Sequence, residues 1–361
     1  MLHWFFPAWA MALIIRSPVI NRRMAAWMVR GVLYSAGVLA LIGMAEFLSH
    51  QTGRWWRMPV GAESFASFGY ANHAAAYFVL LGAGAAGLLF REVFRRDRPP
   101  RTAYTRGLLA ILMLCLVAAN LSLSRTGIIL AWTVSGVIIF YALLRGWRLF
   151  KPAARVRLAI FAAGTLLALY FAVSGTGGRA IRDQFTVVRR PVAQMIPAWR
   201  DINLDLSDRP RLWDTAWRIF KDHPGFGIGG WGFRHMAALY LPESLWKYLQ
   251  HPGRANVHSD PLQFLTEFGA VGGGLMLLCL ARLLAPLRGP GVTRGAVFTM
   301  TMVGLAAVAV FSIMDLPFRC PAILWTWTAL LAALPKLSPG TQEAGGKKES
   351  LVSSPGETVP A

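Results

Sequence analysis

The sequence predicts an all-α polytopic membrane protein with about eight or nine transmembrane helices and one large extracytoplasmic loop that contains short helices. Three observations lead to this fold class. Hydrophobic residues make up 55% of the 361 residues, whereas charged residues make up only 15%. The apolar residues form blocks of about 14–23 residues, near the length that crosses a bilayer as a helix. Basic residues cluster in the connections between these blocks.

The apolar blocks are the predicted transmembrane helices. They span residues 31–48, 68–90, 107–123, 127–144, 158–173, 264–284, 296–314 and 321–334. Residues 2–15 form a shorter candidate, so it stays open whether residues 1–15 span the membrane and whether N-terminal helices are missing. A signal peptide is the weaker interpretation of this segment, because it lacks a basic start and a small-residue cleavage site.

A formal net charge of +20 would indicate a nucleic-acid partner in a soluble protein. Here the basic residues lie between apolar blocks, as in residues 91–106 and 145–157. The positive-inside rule places these connections in the cytoplasm and the alternate ones outside. The charge therefore indicates topology, with membrane lipids and no nucleic acid as partners.

This alternation divides the chain into four segments. Residues 1–175 hold the N-terminal transmembrane helices, 176–262 the large outer loop, 263–336 the C-terminal transmembrane helices, and 337–361 a disordered cytoplasmic tail. The three cysteines show no paired spacing. No disulfide, metal site or cofactor is therefore predicted.

Polar residues at the outer ends of predicted helices are candidates for function, because hydrocarbon excludes unpaired charge. Arg125 lies in a tight turn, where its guanidinium either reaches lipid phosphate or binds a phosphate held at the bilayer surface. Asn72 and His73 form a second polar point, for which structural hydrogen bonding is the leading interpretation. Asp315 is a third, and Arg319 is its expected partner in a structural ion pair.

The long loop alternates polar and aromatic segments, and a loop of this size is expected to contain short helices. One helix is predicted from Pro210 through Lys221, with its apolar residues on one face. It is expected to lie along the membrane surface with its tryptophans in the interface. Its first turn presents backbone N–H groups together with Arg209 and Arg211, an arrangement that favours anions.

The end of the loop carries two further features. Residues 223–232 (HPGFGIGGWG) are glycine-rich, but no strand, βαβ unit or Walker lysine accompanies them, which favours a tight turn over a nucleotide-binding loop. His258 is predicted at the outer mouth of the next helix. There an imidazole either exchanges protons near neutral pH or caps the helix. Glu267 lies deeper in the same helix.

Several segments resemble, in order and spacing, motifs of the O-antigen ligase/polymerase family. They are residues 68–77 (FGYANHAAAY), 123–127 (LSRTG), 207–213 (SDRPRLW), 222–229 (DHPGFGIG) and 258–269 (HSDPLQFLTEFG). The resemblance runs from about residue 68 to about residue 334. Two departures stand out: Ser259 replaces the Asn that usually follows the motif His, and the N-terminal part is short by several helices.

The resemblance implies an all-helical bundle in the bacterial inner (cytoplasmic) membrane with a large periplasmic loop. It also implies metal-independent glycosyl transfer without a cofactor, from an undecaprenyl-diphosphate-linked glycan to a glycan, lipid or protein acceptor. We expect this transfer to be a direct, inverting displacement. The expected function is an O-antigen ligase-like glycosyltransferase acting at the periplasmic membrane face. The alternatives are an O-antigen or exopolysaccharide polymerase of the same family, a non-catalytic transporter of lipid-linked saccharides, and a scaffold of envelope assembly.

Such a reaction needs cations for the leaving diphosphate and a base for the acceptor hydroxyl. The predicted catalytic residues are His258 as the base and Arg125 and Arg209 as the cations. The predicted substrate-binding residues are Arg211, Ser124, Asn72 and Glu267.

Overall fold

A computed structural model describes residues 2–49, 64–95, 99–149, 209–241, 256–289 and 292–338, together with Ala163 and Trp246. Within this part of the chain the regular structure is helical, and the β structure is one isolated bridge between Phe65 and Phe68. The α-helices are α1 (Leu2–Arg16), α2 (Arg22–Leu48), α3 (Ala71–Val93), α4 (Thr102–Leu121), α5 (Arg125–Leu149), α6 (Arg209–Asp222), α7 (Phe233–Met236), α8 (Asp260–Leu284), α9 (Ala296–Met314) and α10 (Pro321–Leu337). Short 3₁₀ helices lie at Ala237–Leu239, Ala285–Arg288 and Pro317–Arg319. The all-α class predicted from the sequence is confirmed for these residues.

Of the described helices, 6 are long and apolar enough to cross a membrane: α2, α3, α4, α5, α9, and α8 with its 3₁₀ extension to Arg288. Two shorter apolar helices lie at Trp4–Arg16 and Pro321–Leu337. These helices indicate a multi-pass membrane protein. The span predicted at residues 158–173 lies outside the described residues apart from Ala163, and the total of about eight or nine spans stays a prediction.

The start of α2 differs from the predicted boundary at residue 31. Asn21 caps the helix, because its side chain accepts a hydrogen bond from the N–H of Met24 at 2.9 Å. The cap lets the polar residues Arg22 and Arg23 form the first turn, ahead of the apolar block. Capping therefore determines where this helix begins, and the hydropathy of the chain does not.

Helix α3 lies at the centre of the bundle, and 94% of an 18-residue apolar stretch of this helix is buried. Small residues allow α9 to approach it closely: a Cβ on Gly304 would lie 2.8 Å from the Cβ of Ala83, and one on Gly87 would lie 3.1 Å from the Cα of Val297. Such close packing is a main source of helix association in lipid. These contacts make α3 and α9 antiparallel, so the start of α3 lies beside the end of α9.

Helix α1, whose role the sequence left open, packs along α10 and runs parallel to it. Trp325 Nε1 donates a hydrogen bond to the carbonyl of Trp4 at 3.0 Å, and Lys336 Nζ donates to the carbonyl of Ser17 at 2.6 Å. The short helix is thus attached near both of its ends and belongs to the bundle.

Helix α8 is interrupted at Gly269, where φ is +65°. The glycine-rich turn at residues 223–232 fills the interruption with backbone hydrogen bonds: Gly229 N donates to Glu267 O at 2.8 Å, and Ala270 N donates to Pro224 O at 2.8 Å. These bonds satisfy peptide groups that the broken helix would otherwise leave unpaired in an apolar environment. The predicted tight turn is therefore present, and it is inserted into a helix.

The alternating helix directions give the bundle two ends. At the site end, α3, α5, α6, α8 and α10 begin and α4 and α9 end. At the arginine-rich end, α3, α5 and α8 end and α4 and α9 begin. The arginines of that end include Arg91, Arg95, Arg101, Arg106, Arg145, Arg148, Arg288 and Arg294.

Candidate active site

Asp315 lies directly after α9, at the site end, and is 1% exposed. Its Oδ2 accepts hydrogen bonds from Asn72 Nδ2 and from the hydroxyl of Tyr70, the second at 3.3 Å. Its Oδ1 accepts a hydrogen bond from the N–H of Leu316 at 2.9 Å. A carboxylate this deeply buried also requires nearby positive charge.

Arg209 supplies one positive charge from the first residue of α6. Leu212, Ala216 and Ile219 form the buried face of this helix, and Arg209 lies on the same face. Its Nη2 lies 3.9 Å from Asp315 Oδ2, and its Nη1 donates to the carbonyl of Met314 at 2.5 Å. The periodicity that buries α6 therefore also directs Arg209 towards α9.

His258 approaches the other oxygen of the same carboxylate. Its Nδ1 lies 3.6 Å from Asp315 Oδ1, while neither ring nitrogen has a hydrogen-bond partner within the described structure. His258 also has a φ of +54°, a left-handed conformation that is uncommon for a residue with a side chain. Such backbone strain is typical of functional positions, where the surrounding structure holds a side chain in place.

The environment of Asp315 keeps its carboxyl group ionised. Burial raises the pKa, but the neighbouring His258 and Arg209 lower it by more, so the pKa lies below the usual value for aspartic acid. An anion beside Nδ1 favours the His258 tautomer with its proton on Nδ1. Nε2 is buried and has no hydrogen-bond partner within the described structure.

The prediction that Asp315 and Arg319 form an ion pair is wrong. Arg319 Nη2 instead lies 2.8 Å from Glu267 Oε1, and its Nη1 donates to Asn256 Oδ1 at 2.9 Å. The 3₁₀ turn at Pro317–Arg319 directs the Arg319 side chain towards α8. The charged neighbours of Asp315 are therefore Arg209 and His258.

Glu267, a predicted substrate-binding residue, is fully buried. Besides Arg319, its Oε1 accepts a hydrogen bond from Gln263 Nε2 at 2.8 Å. Gln263 Oε1 in turn accepts one from the N–H of Val257 at 3.1 Å, next to His258. These contacts favour a role in positioning His258 over direct contact with substrate.

The other predicted residues lie at the same end of the bundle. Ser124 Oγ accepts a hydrogen bond from the N–H of Gly127 at 3.0 Å, so this buried hydroxyl caps α5. Arg125 is partly buried and begins α5, which abuts the start of α3 where Gly127 meets Ala75. The structure thus gathers Arg209, His258 and Asn72 at Asp315 and places Arg125 on an adjoining turn.

Arg211 lies on the exposed face of α6 and lines a cleft of about 360 Å³. The walls of this cleft also include Arg218, which forms an ion pair with Asp214 at 2.5 Å, and the ring of Tyr240. Charged and hydroxyl groups around an aromatic ring suit a hydroxyl-rich ligand such as a saccharide. Arg209 and Arg211 therefore face different environments from the same helix turn.

Sequence reasoning missed the central role of Asp315, and it did not single out Asn256 or Gln263. The useful signal for Asp315 was a carboxylate directly after an apolar helix, which lipid alone would exclude. Asn256 lies two positions before His258 in the sequence. Among the described residues, no group of three or more His, Cys, Asp or Glu side chains is arranged to hold a metal ion.

Comparisons with known proteins agree with the motifs. The sequence model of the family described as O-antigen ligase matches residues 109–277. The match begins within α4, ends within α8 and includes Arg125, Arg209 and His258, whereas Asn72 and Asp315 lie outside it. A search of curated proteins found no match. The domain at residues 109–277 belongs to the O-antigen ligase family, as its motifs predicted.

Proposed function

We propose that this protein moves a glycan from an undecaprenyl-diphosphate carrier to an acceptor hydroxyl at the periplasmic face of the bacterial inner membrane. Family membership supports glycosyl transfer of the O-antigen ligase or polymerase type on lipid-linked glycans. The observation that carries the proposal is the approach of Arg209 and His258 to the two oxygens of Asp315. The positive-inside rule supports a cytoplasmic location for the arginine-rich end, which leaves the site end in the periplasm.

The two arginines stabilise the negative charge of the leaving group. Departure of a lipid diphosphate develops negative charge, and preorganised donors stabilise that charge without a metal. Arg209 offers a planar guanidinium suited to bidentate phosphate contacts, and it is held in place by Met314 and Asp315. Arg125 adds a second guanidinium at the start of α5, where the helix dipole also favours an anion.

His258 serves the acceptor. Its Nε2 takes the hydroxyl proton while the hydroxyl oxygen forms a bond to the anomeric carbon of the donor sugar. The bond from that carbon to the diphosphate oxygen breaks, and its electron pair leaves with undecaprenyl diphosphate, so the configuration is inverted. Asp315 stabilises the resulting imidazolium, which then loses its proton to water.

The cleft beside Arg211 supports a place for the saccharide. Pro210, which follows Arg209 in the sequence, lines this cleft, so a sugar in the cleft would lie close to a diphosphate bound at Arg209. Arg211 and the polar walls provide hydrogen bonds to sugar hydroxyls. Arg211 is therefore assigned to substrate binding, apart from the chemical step.

Glycan transfer in membranes that contain single variants at matched expression tests the proposal. Arg125→Ala, Arg209→Ala and His258→Ala should each lower transfer, the last by about 10²–10⁴-fold, as expected for loss of a general base. Lys221→Ala, on the last turn of α6, and His235→Ala, at an exposed position, are matched controls and should retain transfer. Undiminished transfer by all three site variants would contradict the mechanism.

Ligase and polymerase activities have different cellular outcomes. Deletion of a ligase should leave long unattached glycan chains, whereas deletion of a polymerase should remove long chains. Analysis of glycan chain length in a deletion strain separates the two.

A further inference from the structure

The arginine-rich end carries a second cleft, distant from the candidate active site. Its volume is about 180 Å³, and it is lined by Tyr141, Leu144, Arg145, Arg148 and Arg294. The first four residues belong to the last turns of α5, and Arg294 lies just before α9. Three arginines from two chain segments therefore line this small cleft, and none of the described residues in its wall is acidic.

Within the described part of the chain, no carboxylate compensates these arginines. Glu92, a carboxylate of this end, lies 3.9 Å from Arg95. Arg145 and Arg148 stand three residues apart on α5, a spacing at which like charges repel each other. A bound anion would remove this repulsion and could contact guanidinium groups from two segments at once.

The position of the cleft points to an anion that belongs to the membrane. Arg125 begins α5 at the site end, and Arg145 follows it by about 30 Å of helix, which is the thickness of the hydrocarbon core of a bilayer. Arg145 and Arg148 therefore reach the headgroup level of the opposite membrane face. A phosphate at that level is most simply the phosphate of a lipid.

The surface that leads away from the cleft is suited to acyl chains. Phe140, Leu144 and Trp147 are 67%, 44% and 61% exposed, and their spacing places them on one face of α5. The ring of Tyr141 stacks on Phe90 of α3, with centroids 5.5 Å apart, which fixes one wall of the cleft. An aromatic residue near the end of a span, as Trp147 is, is typical of the membrane interface.

We propose that this cleft binds the phosphate of an anionic phospholipid, with the acyl chains along the exposed face of α5 at Phe140 and Leu144. The site lies on the membrane face opposite the candidate active site. It does not depend on the proposed glycosyl transfer, because it takes a lipid of the bulk membrane.

The test is a lipid titration of the purified full-length protein in detergent, followed by native mass spectrometry. The probes are phosphatidylglycerol, phosphatidylcholine and inorganic phosphate. The protein should bind phosphatidylglycerol in preference to phosphatidylcholine with matched acyl chains. Equal binding of the two lipids would overturn the proposal, and so would displacement of phosphatidylglycerol by millimolar inorganic phosphate, which would indicate a site for free phosphate.

A charge-removal variant localises the binding. Its substitutions are Arg145→Gln, Arg148→Gln and Arg294→Gln. With about 1 kcal/mol for each basic residue near an anionic lipid, this variant should bind phosphatidylglycerol on the order of a hundredfold more weakly. Substitution of the same residues by Lys should keep the affinity within about tenfold, because the charge is retained.

A matched control removes the same charge elsewhere at the arginine-rich end. Its substitutions are Arg23→Gln, Arg101→Gln and Arg106→Gln, all at exposed positions. The control should retain phosphatidylglycerol binding, and an equal loss in both triple variants would show a diffuse charge effect and overturn the site. If the first triple variant elutes as aggregate, Arg148→Gln alone is titrated, and unchanged affinity in that single variant would likewise overturn the proposal.

Discussion

Replacing Asp315 by asparagine retains the shape of the side chain but removes its charge. Arg209, which is 9% exposed, would then keep its hydrogen bond to the Met314 carbonyl but lose its anion. Removing one partner of a buried ion pair typically costs about 3–5 kcal/mol. We expect the lower end of that range, about 3 kcal/mol, because the pair is 3.9 Å apart and the Met314 contact remains.

A double-mutant cycle with Arg209→Gln isolates the charge pair from other effects of the substitution. Asp315→Asn alone leaves a buried cation, whereas the double variant removes both charges. The double variant should therefore be less destabilised than the sum of the single variants by about 1–2 kcal/mol. The assay is unfolding of the purified proteins in detergent, with the same detergent and protein concentration for all four.

The pH dependence supplies a second signature. The pKa of Asp315 lies below its usual value, because His258 and Arg209 outweigh the effect of burial. A carboxyl group with a lowered folded-state pKa stabilises the fold above its unfolded pKa of about 3.9, and this contribution is lost as the pH falls through the folded value. The stability difference between the natural protein and Asp315→Asn should therefore be present above about pH 5 and shrink below about pH 4.

The same variant should also lose glycan transfer. Where a carboxylate orients a catalytic histidine through a hydrogen bond, the change to asparagine lowers kcat by about 10⁴. Asp315 lies 3.6 Å from His258 Nδ1, so we expect a smaller loss, at least about 10²-fold. Additive stability effects in the cycle together with transfer within threefold of the natural protein would refute the role of Asp315.

Three further substitutions test the packing that positions the site. Gly227→Ala should destabilise the protein by about 2–4 kcal/mol in chemical unfolding, because φ is +69° and the new Cβ would lie 2.5 Å from the carbonyl carbon of Glu267. Gly225→Ala is the control and should be near neutral, because its new Cβ would have no neighbouring atom within 4 Å. Equal destabilisation by the two variants would count against the argument. Glu267→Gln should cost about 3 kcal/mol because it leaves Arg319 without its anion, and an unchanged unfolding midpoint would contradict this. Gly304→Leu should separate α3 from α9 and reduce the monodisperse peak in size-exclusion chromatography, whereas natural elution at natural yield would show that close packing there is dispensable.

Much of the helical fold could be predicted because each span is a local property of the chain. An apolar block of bilayer length forms a helix irrespective of its partners, so the blocks at residues 107–123 and 296–314 correspond well to α4 and α9. The interruption of α8 could not be found in this way. It depends on backbone hydrogen bonds that the residues on either side of Gly269 form with a turn that comes much earlier in the sequence.

The candidate site shows the same division. Arg209 and His258 could be selected from the sequence. A basic residue at a helix start favours anions, and a histidine at a membrane boundary can exchange protons. Their shared partner, Asp315, could not be identified in this way. Asp315 and Arg319 are close in sequence and of opposite charge, so the sequence suggests that they pair with each other. The 3₁₀ turn between them sends the two side chains to different partners, and only the fold specifies that turn.

The most direct test of the central claim uses purified protein, an undecaprenyl-diphosphate-linked glycan labelled in both the lipid and the sugar, and an acceptor glycan. Release of undecaprenyl diphosphate is measured together with labelled acceptor. We predict equal amounts of the two products from the natural protein and a loss of both with His258→Ala. Movement of intact donor across the bilayer without release of undecaprenyl diphosphate, unaffected by His258→Ala, would contradict the account and indicate a transporter.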